Sequence, residues 1–156
     1  MPGHTETLSA AAAVAIDVAG VSTFGLGIGG NRPKFTFDTA DTTTVAITVA
    51  NTYMENLVFS ANFADIVAAI TTTKTVTWVN GCEFIDTALN MNWLTPVKAL
   101  GTTTADNNDL RVTNSRWETI DAAALEMIEI NGTLARFVCQ NNFAVAAGTA
   151  TPMILV

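Results

Sequence analysis

The chain is poorest in ionic and reactive side chains. Among 156 residues there is one histidine, His4, and there are two cysteines, Cys82 and Cys139. A Ser-His or Cys-His nucleophile pair would need His4, in the polar tip of the chain, folded back onto a site. Zinc asks for four ligands of the Cys and His type, which two cysteines far apart in sequence do not supply. The disulfide framework of a small secreted domain also needs more of them. Cys82 and Cys139 each fall in a proposed strand and read as small buried hydrophobes, with a Cys82–Cys139 bridge as the alternative. Charged residues are only 13% of the chain, about half the usual share of roughly 25%. Cations are scarcest, 7 Lys plus Arg against 14 carboxylates for a net charge of −7. Of the Lys and Arg residues only Arg32 and Lys34 are close neighbours, so no basic patch for nucleic acid is expected.

Targeting and cofactor signals are missing as well. Leu8 to Ile16 is almost entirely Ala, Val, Leu and Ile, but H-T-E-T precedes it where an export signal would carry Lys or Arg. As a membrane span it is interrupted by Asp17 and followed by glycines. Both points suggest synthesis and folding in the cytoplasm, with no membrane partner. Gly25-Leu-Gly27-Ile-Gly29-Gly30 satisfies the spacing G-x-G-x-x-G, yet Asn31-Arg32-Pro33 and an alternating Lys34–Asp38 follow in place of the helix that a pyrophosphate requires. Asp106-Asn107-Asn108-Asp109 breaks the calcium-loop alternation at Leu110 and reads as a solvated loop. Paired carboxylates, Glu83 and Glu129, remain the one catalytic option, and strand carboxylates of this kind usually solubilise. No catalytic residue, metal ligand or cofactor is therefore expected, and the chain reads as a non-enzyme.

What the chain does have is β character. Thr is about one residue in six and apolar residues make up 49%; the branched Cβ of Thr, Val and Ile suits pleated strands. Two Asn-Gly pairs lie between β-prone runs, the strongest short-range hairpin signal. Closing one at Asn131-Gly132 pairs Ile130 with Thr133, Ile128 with Ala135 and Glu126 with Phe137. Closing the other at Asn80-Gly81 pairs Val76 with Ile85 and Trp78 with Glu83. Phe63, Ile66, Val67 and Ile70 fall at i, i+3, i+4 and i+7, which predicts a short amphipathic helix over about 62–71. Residues 1–30 read as an N-terminal arm or edge strand, with Val14–Val21 open between the two, and 31–156 as a single β domain. No repeat of fixed period and no linker is evident. The expected fold is mainly β, an antiparallel sandwich or barrel-like domain built from hairpins, with one short helix and an extended N-terminal arm.

A surface so poor in charge suggests burial against other chains. The Ala- and Gly-rich stretch Ser9–Gly30 and the close A-G-T-A-T-P-M-I-L-V (Ala147–Val156) resemble structural proteins of tailed-phage particles, in the style of lambdoid head-decoration proteins. The resemblance implies a capsid cement protein made in the host cytoplasm and carried on the virion surface. Its implied partners are the major capsid protein and copies of itself in a homotrimer. Strand addition at neighbouring sheet edges would then use Val14, Ile16, Val18, Val21, Phe24, Leu26, Ile28, Met153, Ile154 and Leu155. Another virion role, in the tail tube or as a minor head protein, belongs to the same class. The competing class is a carbohydrate-binding or adhesin-like module, with Trp78, Trp93 and the 101–109 loop as its surface. A third is an enzyme using Glu83 or Glu129.

Overall fold

The computed structural model describes residues 3–10, 14–74, 76–101, 109–146 and 153–155. Every ladder between its strands is parallel. Sheet A stacks β1 (Thr5–Leu8), β4 (Lys34–Phe37), β7 (Val58–Ala61), β10 (Glu83–Asp86), β13 (Arg116–Thr119) and β16 (Phe143–Ala146). Sheet B stacks β2 (Val14–Ile16), β5 (Val45–Ile47), β8 (Ile70–Thr72), β11 (Val97–Ala99), β14 (Ile128–Ile130) and β17 (Ile154–Leu155). Sheet C stacks β3 (Ser22–Phe24), β6 (Thr52–Glu55), β9 (Thr77–Asn80), β12 (Leu110–Thr113) and β15 (Phe137–Gln140). The chain visits A, B and C in rotation, so each strand lies on its counterpart from the previous circuit. The result is a β-solenoid of about five turns.

This overturns the antiparallel sandwich or barrel, and the reason lies in the turns. A type I′ reversal needs positive φ at both central residues. At Asn80-Gly81 only Gly81 has it, with φ 59°, and at Asn131-Gly132 only Gly132, with φ 132°. One such residue steers the chain from one sheet to the next without sending it back alongside itself. Strand β9 accordingly pairs with β6 and β12, and β10 with β7 and β13. At the second site the Asn131 N–H donates to Ala99 O at 2.8 Å and the Thr133 N–H to Gly101 O at 3.1 Å, both one turn away. None of the expected hairpin pairs, from Val76–Ile85 to Glu126–Phe137, is a strand pair.

The helix over 62–71 is also absent. Among the described residues the only helical piece is a 3-10 turn, Gly29–Asn31. Asp65 adopts φ 50°, which a right-handed helix cannot contain. Ile66 forms a parallel bridge with Trp93, and Ile70 opens β8. Phe63, Ile66 and Ile70 turn toward the core while Val67 is exposed, so a bend produced the spacing that reads as a helix. Among the described residues of the 1–30 stretch, β1, β2 and β3 form the first turn of the stack and are the edge strands of their sheets, not an extended arm.

Parallel stacking puts the same position of successive turns about 4.8 Å apart, so like packs on like. Inside sheet B, Val14, Val45, Ile70, Val97, Ile128 and Ile154 lie in register. Inside sheet A, Phe35, Phe59, Phe84 and Trp117 form an aromatic column, with Phe35–Phe59 and Phe59–Phe84 centroids 5.7 and 5.2 Å apart and nearly parallel rings. Met54, Val79, Val112 and Cys139 lie in register inside sheet C.

The edges between sheets differ. From C to A the chain turns in two residues, Asn56-Leu57, Gly81-Cys82, Asn114-Ser115 and Asn141-Asn142. The first of each pair has φ between 52° and 59°, a conformation that Asn and Gly tolerate. Its N–H continues the ladder, as in Asn56 to Asn80 O at 3.0 Å and Asn114 to Gln140 O at 3.0 Å. The first C-to-A corner departs from this rule by enlarging to residues 25–33. It begins at Gly25, where a Cβ would lie 2.0 Å from Asn56 O.

Candidate binding surfaces

The connectors from A to B span 38–44, 62–69, 87–96 and 120–127. They stack through backbone bonds, Leu94 N–H to Ile66 O at 2.8 Å and Leu125 N–H to Leu94 O at 3.0 Å. Three successive connectors place large apolar side chains in solvent along this edge: Val67, then Leu89 and Met91, then Ile120 and Leu125. Their charges are all of one sign, Asp38, Asp41, Asp65, Asp121 and Glu126 with no Lys, Arg or His. The buried acids staple the connectors together. Asp121 accepts from the N–H groups of Asn90 and Ala123, each at 2.7 Å, and Glu126 accepts from the Thr95 hydroxyl at 2.6 Å. Asp86, at the end of β10, accepts from Trp93 N–H at 3.3 Å and Ile120 N–H at 3.1 Å. Burial pushes its carboxyl above the usual range against those hydrogen bonds.

The outer face of sheet C has a different chemistry. In register from turn to turn it carries Ser22, Tyr53, Trp78, Arg111 and Val138, beside Phe24, Glu55, Asn80, Thr113 and Gln140. Tyr53 and Trp78 meet edge to face at 4.9 Å, Phe24 adjoins Tyr53 at 5.4 Å, and the Arg111 guanidinium lies 5.6 Å from the Trp78 ring. A third surface is a cleft of about 450 Å³ between the 25–33 loop and sheet A, lined among others by Gly29, Gly30, Arg32, Lys34 and Glu83. The G-x-G-x-x-G spacing therefore ends in a loop wall with a single 3-10 turn and opens no α-helix.

The two carboxylates weighed for catalysis do not converge. Glu83 pairs with Arg32 outside sheet A, and Glu129 pairs with Lys98 at 2.6 Å outside sheet B. Asp109 is buried, held by Arg111 at 2.8 Å and by Arg136 at 3.4 Å, and the Arg111 guanidinium keeps its carboxyl below the usual range. The rest of the Asp106–Asp109 run, and residues 102–108 of the predicted loop, lie outside the described residues. Both cysteines are free, and burial pushes the Cys82 thiol up to about 12, which favours the inert-thiol reading over the bridge. Of the tryptophans, Trp93 and Trp117 are buried in the core; Trp93 donates its ring N–H to Ile85 O at 3.2 Å. Trp78 alone reaches solvent, at 36% exposure.

The apolar residues expected at a partner surface divide between the two ends of the stack. Val14, Ile16 and Val21 are buried or half-buried in the first turn, while Val18, Phe24, Leu26 and Ile28 are exposed, the last two at 80% and 88%. Met153 and Ile154 pack on the core at the opposite end, where Leu155 pairs with Glu129 in the β14–β17 ladder. Sequence reasoning singled out Trp78 but not its neighbours Tyr53 and Asn80, and it did not find the A–B ridge, because each surface is assembled from residues of separate turns. No described helix is long and apolar enough to cross a membrane. Comparison with protein-family models, curated proteins and solved structures gives no match to this chain.

Proposed function

We propose that the chain is a non-catalytic structural protein of a phage particle, a decoration protein that seats between major capsid subunits and stabilises the head. The observation that carries this reading is the apolar ridge of Val67, Leu89, Met91, Ile120 and Leu125, repeated over three turns of the stacked frame. Exposed apolar residues aligned this way suit docking on another protein. Leu26 and Ile28, on the enlarged first corner, are the contact assigned to copies of the chain in a homotrimer. Many such weak contacts on a lattice add through avidity. Heating purified shells with and without the protein tests the reading: a raised melting temperature is expected, lost with Leu89→Ser/Leu125→Ser. Equal melting temperatures for bare and decorated shells overturn it.

A further inference from the structure

We propose that the outer face of sheet C binds a neutral oligosaccharide, with Tyr53 and Trp78 as its stacking surface. The inference stands apart from the docking reading, which uses the A–B edge and the enlarged first corner. A pyranose ring presents an apolar C–H face and a rim of hydroxyls that both donate and accept. It is recognised by an aromatic ring bordered by fixed polar groups.

Sheet C supplies that border. A shallow depression of about 230 Å³ is lined by Asn51, Thr52, Tyr53, Val76 and Trp78. One register position away stand Glu55, Asn80, Thr113 and Gln140. The rings are held before any ligand arrives. The Trp78 ring N–H donates to Thr113 Oγ1 at 2.8 Å. The Asn80 amide donates to the Tyr53 hydroxyl oxygen at 3.1 Å and to Glu55 Oε1 at 3.0 Å, while its Oδ1 accepts from Thr113 at 2.9 Å and Asn114 at 2.8 Å. Both amide donors and both oxygen lone pairs of Asn80 are thus engaged. Asn80 serves as the positioning residue, and the ordering cost that binding usually carries is already met.

Val76 points the same way. It holds φ 56°, where Asn51 holds φ 60° at the equivalent place one turn earlier. Asn suits that conformation and a β-branched residue does not, so Val76 is a strained position, and its apolar side chain stands at the wall of the depression. Charge selects the ligand. Arg111 is clamped by both oxygens of Asp109 at 2.9 and 2.8 Å, which leaves Glu55 and the net charge of −7 to repel acidic sugars.

The test is titration of the intact protein with a panel of neutral oligosaccharides: β-glucans, α-glucans, mannans, galactans and N-acetylglucosamine oligomers. The indole N–H resonances of the three tryptophans serve as reporters. At least one class should shift Trp78 and leave Trp93 and Trp117 in place, and Trp78→Ala or Tyr53→Ala should weaken that binding at least tenfold. A panel that moves no Trp78 signal, or binding unchanged in Trp78→Ala, overturns the proposal. Because the wild-type spectrum is itself a readout, a variant that fails to fold leaves the test intact.

Discussion

Along the C–A edge the chain turns four times in two residues, each time with Asn or Gly in the left-handed region, and at Asn56, Gly81 and Asn114 that residue's N–H is bonded to the next turn. Along the A–B edge it takes 38–44, 62–69, 87–96 and 120–127 to make the same change of direction. The tight edge has no freedom: backbone geometry dictates the first residue, and Leu57, Cys82 and Ser115 behind it are buried. At the wide edge only the inward side chains, such as Ile66 and Trp93, answer to the core. Asp121 and Glu126 are also buried and tie the connectors together, and the outward residues Val67, Leu89, Met91, Ile120 and Leu125 form the apolar ridge.

Breaking the inward side of the wide edge should have the largest effect. Trp93 is fully buried, with its ring edge-on to Phe37 at 4.8 Å. Trp93→Ala is expected to cost about 3–5 kcal/mol in denaturant unfolding, whereas Leu125→Ser on the same edge should stay within about 0.5 kcal/mol. Similar losses from both would mean that the outward residues also support the frame. The tight edge should discriminate by backbone alone. Gly81→Val is expected to destabilise by about 1–3 kcal/mol. Gly81→Asn should be near neutral, since Asn holds the same place at 56, 114 and 141 and a Cβ at Gly81 meets nothing closer than 4.0 Å.

The smallest effect is a pH slope. Because the Asp86 carboxyl is raised in the folded protein from the ordinary value of 3.8, the fold binds its proton more tightly than the unfolded chain does. The stability of the natural protein relative to Asp86→Asn should therefore be greatest below that ordinary value and shrink as pH rises through the native one. A relative stability that grows with pH over this range would show that hydrogen bonds to the ionised carboxylate outweigh its burial.

The sequence made the strands and many core residues legible, because Val45-Ala-Ile47 and Ile128-Glu-Ile130 alternate as half-buried strands do. It marked a change of direction at Gly81 and Gly132 but misjudged its sense, since type I′ reversal and a single left-handed bend call for the same residues. The solenoid escaped notice because its offset is irregular. It runs from 24 residues between Lys34 and Val58 to 33 between Glu83 and Arg116, and connectors that vary in length erase the period. The recurrent mark was Asn56, Gly81, Asn114 and Asn141, whose common role is conformational and not chemical. The candidate surfaces were less legible still: Tyr53, Trp78 and Asn80 become one site only through a register that spans successive turns.

The aromatic column of Phe35, Phe59, Phe84 and Trp117 has a consequence for how such a chain can change over generations. Along the column each ring is in register with those of the turns directly above and below it, so coupling from turn to turn is local, as in other one-dimensional arrays. Duplicating or deleting a whole coil would leave every remaining ring with suitable neighbours, and the rod could grow or shorten while both of its ends kept their character.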